Sequence, residues 1–178
     1  MVTTPEDNGM RVMPSLDHLH VRRARIEDAP VIAAFSAAMA LETEGRHLDR
    51  ERLHDGTMAL LQSPARGFFM VAELEQNGNC QLVGQLMITY EWSEWRNGAF
   101  WWIQSVYVDP AWRRKGVYRR LHDTVVAIGK ADTRMCGIRL YVARDNRAAQ
   151  NVYRRVGLAS SMYDVYEDDF VLRRHGQE

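Results

Sequence analysis

Residues 105–121 read SVYVDPAWRRKGVYRRL. Val106, Tyr107 and Val108 close an apolar and aromatic run that begins at Ala99, which predicts a long, central strand. Asp109-Pro110 ends it, because proline has no N–H to offer a ladder. Arg113-Arg114-Lys115-Gly116 comes next, and from about Gly116 to Lys130 the residues Val117, Leu121, Thr124, Val125 and Ile128 recur at helical spacing. A strand that runs through a short loop into a helix leaves unpaired N–H groups at the positive end of the helix dipole. Such an end attracts anions, and Gly116 would let one approach the backbone closely. Arg113, Arg114 and Lys115 add charge, so a diphosphate is one reading. A glycine in a tight turn with three solvated cations is the other.

Working outward, residues 140–158 read LYVARDNRAAQNVYRRVGL. A strand over Ile138–Val142 precedes a helix from Asn146 to Val156, which Gly157 ends. Asn146, Ala149 and Tyr153 stand at i, i+3 and i+7, near one face of that helix. Asn146 could cap the helix or bond a ligand amide, and Tyr153 could fill core or offer a phenol.

Upstream, Leu19–Ile26 predicts a short strand. Asp28-Ala29-Pro30 opens a first helix, broken by Gly45, and Asp49 caps a second one carrying Leu53, Thr57, Leu60 and Leu61 on one face. Phe68–Glu75 predicts a strand and Asn77-Gly78-Asn79 a hairpin turn. In the next strand Leu82, Gly84, Leu86, Ile88, Tyr90 and Trp92 share one face, with Val83, Gln85, Met87, Thr89 and Glu91 on the other. Residues 160–170 are expected to hold a last strand. The order β-α-α-β-β-β-α-β-α-β describes one α/β (α+β) domain with a mixed sheet. It is expected over residues 19–170, between a loose extension (1–18) and a short tail (171–178).

Composition narrows the function. The 178 residues carry 23 basic and 23 acidic side chains and no net charge. Residues 109–155 hold twelve basic against four acidic ones, and both flanks are acidic. An anion therefore meets the middle stretch, while the neutral whole argues against a nucleic-acid partner. No apolar run is long enough for a membrane span, and the start lacks the pattern of a signal peptide. Cys80 and Cys136 form no CxxC pair, and the six histidines are scattered, so no metal site is expected and a cytoplasmic location is.

The two segments together resemble the GNAT superfamily of acetyl-CoA-dependent N-acetyltransferases. Its phosphate motif, R/Q-x-x-G-x-G/A, matches Arg113-Arg114-Lys115-Gly116-Val117-Tyr118, with Tyr118 where the family has a small residue. Its downstream N-x-x-A-x-x-x-Y matches Asn146, Ala149 and Tyr153, followed by Gly157-Leu158. The resemblance implies a mostly antiparallel mixed sheet, splayed between the strand ending at Val108 and the one ending at Val142, with acetyl-CoA in the splay. By the same resemblance, Val106, Tyr107 and Val108 hold the pantetheine and thioester. Residues 113–118 then hold the diphosphate, Asn146 and Ala149 the pantetheine arm, and Tyr153 protonates the leaving thiolate.

On the acceptor side, the amine of a small molecule or peptide needs a base. The candidates are Glu91, then Glu42, with Glu44 and Glu94 beside them. Gln104 stands where the family sometimes carries a catalytic glutamate. Trp92, Trp95 and Trp102 are candidate pocket walls, or else core and homodimer packing. The acidic flanks lean toward a cationic acceptor. The alternative function is an acyl-CoA-binding sensor of the same fold without turnover.

Overall fold

The computed structural model describes residues 16–76 and 78–172. Residues 1–15 of the expected extension, Asn77 of the expected turn and residues 173–178 of the expected tail lie outside the described residues. The chain divides into two compact units, residues 1–141 and 142–178.

The first unit is built on a five-stranded sheet in the order β1-β2-β3-β4-β5. Its strands are β1 (Leu19–Arg23), β2 (Gly67–Gln76), β3 (Asn79–Ser93), β4 (Gly98–Val108) and β5 (Met135–Leu140). The first four pair antiparallel and β5 joins β4 in parallel. Helices α1 (Ala29–Glu44) and α2 (Arg50–Leu61) separate β1 from β2, and α3 (Val117–Ala131) separates β4 from β5. The first boundaries arise as predicted. Gly45 ends α1 at φ +64°, and the Asp49 carboxylate accepts the Arg52 N–H at the start of α2. Residues 16–18 already join the domain: Leu16 packs on the core, and the His18 carbonyl accepts the Glu75 N–H at 3.2 Å.

Two apolar layers hold the sheet. On one face Val117, Leu121 and Val125 of α3 pack over Leu86, Ile88, Trp101 and Ile103. On the other Ile32 of α1 and Leu60 of α2 pack over Phe69 and Val71. The simple alternation expected along β3 fails at one point. Ala72 pairs with Gly84 but Glu73 pairs with Leu82, so Val83 is an extra residue, a β-bulge. Beyond it the pattern slips by one, so Leu82 packs on the α1–α2 side with Met87 while Val83 is buried on the α3 side.

β5 runs over Met135–Leu140, starting earlier and ending sooner than the expected Ile138–Val142, and it is half-buried because it is an edge strand with one neighbour. In the second unit α4 (Arg147–Arg155) forms as predicted, but residues 160–170 contain no strand. Met162, Tyr163, Val165, Tyr166 and Phe170 are exposed there, so no apolar face is buried to stabilise one.

Ionisable groups inside the first unit make its stability pH-dependent. Arg22 bonds Asp28 at 2.7 Å and Glu73 at 2.6 Å. Burial alone would raise the Asp28 carboxyl, but Arg22 and the Arg25 N–H hold it below its usual range; Arg22 does the same for Glu73. His122 on α3 is 3% exposed, and burial lowers its imidazole despite Asp123 at 3.6 Å. A lowered imidazole means the unfolded chain binds the proton more readily, so stability falls as pH drops below about 6.5. The carboxylates extend the loss below about pH 4, where the unfolded chain takes up their protons. The melting temperature is therefore expected to decline between pH 7 and 5, and His122→Leu to remove that part of the decline. An unchanged slope in the variant would show that His122 does not carry it.

Candidate active site

β4 positions the site. It pairs with β5 from Ala99 to Ile103, where Leu140 is the last partner. Five more residues, Gln104–Val108, continue with no strand partner on that side among the described residues. Against β3 the register also shifts, since Met87 opposes Ser105 but Ile88 opposes Ile103. Gln104 is thus the extra residue of a second bulge, at the point where β4 and β5 part. This is the splay expected from the resemblance.

The unpaired end of β4 leads into the cationic loop. Asp109 accepts the Ala111 N–H at 2.9 Å and starts a single 3-10 turn over Pro110–Trp112. Arg114 (φ +63°) and Gly116 (φ +91°) then take left-handed backbone conformations. Gly116 immediately precedes α3, and the first helical bond runs from the Arg120 N–H to its carbonyl at 3.0 Å. N–H groups ahead of Arg120 have no intrahelical acceptor. Among the described residues a Cβ at Gly116 would meet only Leu16 Cδ1 at 3.7 Å, so the glycine serves the backbone angle. Tyr118, in place of the small residue, turns its side chain onto the α3-side core. These features fit a diphosphate.

The loop cations differ in their commitments. The Arg113 Nε–H donates to the Val108 carbonyl at 2.9 Å, and its Nη2 meets Glu42 Oε2 at 2.6 Å. Lys115 Nζ lies 4.5 Å from the centre of the Trp112 ring. Arg114 is exposed and enters no ion pair among the described residues. Arg114 is thus the loop arginine whose charge no carboxylate answers among the described residues. Arg114→Gln is expected to weaken CoA binding roughly fivefold at low salt, and the difference should shrink strongly near 1 M salt, where the Debye length falls to about 3 Å. A salt-independent loss would point to a damaged loop instead.

Glu42 and Glu91 both lie on the α1–α2 side of the sheet. Glu42 takes Arg113 on one oxygen and the Tyr107 hydroxyl on the other, at 3.1 Å. Burial, with that bond to a carboxylate, pushes the Tyr107 phenol up, so it stays a donor. Tyr107, expected as a cofactor contact, places its ring 5.1 Å from Phe35 and its hydroxyl on Glu42. Glu91 takes Arg139 Nη1 at 2.5 Å and the Trp102 indole N–H. In the β3 register Gln85 opposes Tyr107, and Glu91 is six residues further on, roughly 20 Å along the strand. One amine cannot reach both carboxylates. Glu44 is exposed and pairs with Arg46 at 3.4 Å, and Glu94 is exposed in the β3–β4 turn.

The three tryptophans are not gathered. Trp102 lies on the α1–α2 side, its ring 4.9 Å from Tyr141. Trp92 alternates onto the α3 side and is 62% exposed, and Trp95 at the turn is 83% exposed. Gln104 accepts the Tyr141 hydroxyl at 2.8 Å and donates to Thr89 Oγ1 at 2.8 Å. Arg139 and Tyr141 were not singled out in the sequence. The parallel register that sets Arg139 opposite Trp102 would have been needed to find them.

In the second unit Asn146 is the cap of α4, its Oδ1 accepting the Ala149 N–H at 3.0 Å. That leaves the Asn146 amide NH2 for other use. Tyr153 is half-buried on α4, and burial pushes its phenol up.

With this geometry in hand, comparison with known proteins is specific. The sequence profile of the acetyltransferase (GNAT) family matches residues 32–158. No curated protein sequence matches the chain. Among solved structures, a possible acetyltransferase from Clostridium difficile 630 is 38% identical, with 88% of this chain and 100% of that chain covered and a TM-score of 0.79. A ribosomal-protein-alanine N-acetyltransferase from Brucella melitensis biovar Abortus 2308 is 18% identical over 85% of this chain and 99% of that one, TM-score 0.65. The aminoglycoside N-acetyltransferase AAC(6')-Iy, in complex with CoA, is 13% identical over 90% and 100%, TM-score 0.69. At such identities the last two share the fold alone. Among the described residues no helix is long and apolar enough to cross a membrane, and no three ligating side chains gather for a metal ion.

Proposed function

The chain belongs to the acetyltransferase (GNAT) family, and from that premise we propose that it moves the acetyl group of acetyl-CoA to the amine of a small molecule or peptide. It is an acetyl-CoA-dependent acyltransferase; the amine acceptor is the proposal. The observation that carries the reading is the end of β4. Five residues run on past the last β5 pair, straight into a loop whose backbone and cations suit a diphosphate.

In this reading residues 113–118 hold the diphosphate, with Arg114 as the main charge. The Val106–Val108 segment offers the backbone groups that hold the thioester and polarise its carbonyl. The acceptor nitrogen attacks that carbonyl and the thiolate departs. Tyr153 protonates the thiolate, and Asn146 bonds the pantetheine arm through the amide left free by capping.

Glu42 is the better placed of the two carboxylates to accept the amine proton, through water. It is bonded to Tyr107, inside the Val106–Val108 segment, whereas Glu91 lies near the far end of β4. Arg113 and Tyr107 hold it in place and leave lone pairs open. The test is release of CoA thiol from acetyl-CoA across a panel of primary amines. Turnover with at least one amine is expected. Tight acetyl-CoA binding without turnover on any of them would support a sensor instead.

A further inference from the structure

The sheet face beyond Gln104 carries charge of an unexpected sign. Phe100 is buried under two guanidinium groups, Arg139 at 3.6 Å and Arg96 at 5.0 Å from its ring centre. Gly137 makes room, since a Cβ there would come within 2.7 Å of the Phe100 ring. One carboxylate, Glu91, answers these two cations, and it is bonded to Arg139 and to the Trp102 indole. Arg96 is exposed, bonds Ser93 Oγ at 3.3 Å, and makes no ion pair among the described residues. Arg96, Arg139 and Glu91 together therefore hold one positive charge in excess, and Glu94, in the same turn as Arg96, makes no ion pair with it among the described residues. Arg139 also keeps donors beyond the one facing Glu91, in a fork shaped for a carboxylate.

From these contacts we infer that the acceptor is anchored by an anionic group at Arg96 and Arg139, not drawn in as a simple cation. The inference rests on the amine-acetylation reading above and names the class of amine: one carrying a carboxylate at a fixed distance from the reacting nitrogen. The register sets that distance. Phe100 opposes Glu91 and Val106 opposes Leu86, so the anchor and the thioester segment are five register positions apart, about 17 Å at the rise of a strand. Long arginine side chains shorten the span to roughly 13 Å. Between the ends lie the rings of Trp102 and Tyr141, 4.9 Å apart, which offer an apolar wall to a flat or extended linker. Glu91 then serves as a positioning residue, holding Arg139 over Phe100. The acidic flanks had pointed to a cationic acceptor, but Glu42 and Glu91 are each paired with an arginine.

Three matched amines test this: 10-aminodecanoate, uncharged-tailed decylamine and 1,10-diaminodecane. Calorimetry on the full chain saturated with CoA reads their affinities, independently of turnover. The acid should bind roughly tenfold more tightly than decylamine, and the diamine most weakly, as expected for one charge-assisted contact at a solvent-accessible site. In Arg96→Gln the preference for the acid should fall severalfold, and Arg139→Lys should reduce it too by losing the fork. An equal or reversed order in the wild-type protein, or no binding of any of the three, overturns the anionic anchor. Absence of thiol release despite the expected order would instead count against acetyl transfer to these amines while leaving the anchor standing.

Discussion

Tyr153→Phe is expected to lower kcat by roughly a hundredfold, with acetyl-CoA affinity changed less than about twofold. The substitution removes one oxygen and its proton and keeps the ring on α4. Burial holds the phenol above its ordinary value, so at neutral pH it is fully protonated and has a proton to give. An ordinary thiolate has a pKa near 8.5 and the free phenol one near 10, so full transfer runs uphill by about 2 kcal/mol. That is small beside the gain from neutralising the leaving anion as the C–S bond breaks. Steady-state kinetics with a competent amine, alongside acetyl-CoA titration, separates the two effects. An unchanged kcat removes Tyr153 from the reaction, and a matching loss of affinity would make it a binding residue.

Gly67→Ala is expected to destabilise the fold by roughly 3 kcal/mol, through positive-φ strain and a backbone clash. Gly67 opens β2 at φ +150°, and an ideal Cβ there falls within 1.9 Å of the Ile88 carbonyl oxygen. Ile88 belongs to the doubly paired middle of the sheet, beside the Gln104 bulge, and has no room to retreat. At this chain length the loss corresponds to a fall of about 10 °C in melting temperature. Gly56→Ala is the contrast. It sits inside α2 with nothing within 4 Å of the added carbon, so better helix propensity should raise stability by about 0.5–1 kcal/mol. Equal melting temperatures for the two variants would refute the clash.

The sequence disclosed these elements unevenly, for physical reasons. Helices α1, α2 and α3 and strands β2 to β4 are legible because periodicity, Asp49, Gly45 and the turn residues all agree. The bulges at Val83 and Gln104 are not, since a bulge is set by the register between two strands and leaves no mark on one of them. Residues 160–170 have a strand's composition but bury nothing. The cationic loop was readable as a motif, yet not the division of labour within it. Only packing shows Arg113 turned to Glu42 and Arg114 left to solvent. The acceptor side was the least readable, because Glu91, Trp102, Arg139 and Arg96 meet across three strands and a turn.

The sheet lists its strands in the order the ribosome makes them. β2, β3 and β4 form a meander with short turns, so their pairings close small loops and can form early. β5 is the exception: it must reach β4 in parallel, after α3 has crossed the sheet. Refolding should therefore show antiparallel pairing first and docking of β5 as the slow step. The splay would then be the last part of the domain to take shape, and the capacity to bind CoA the last property the new chain acquires.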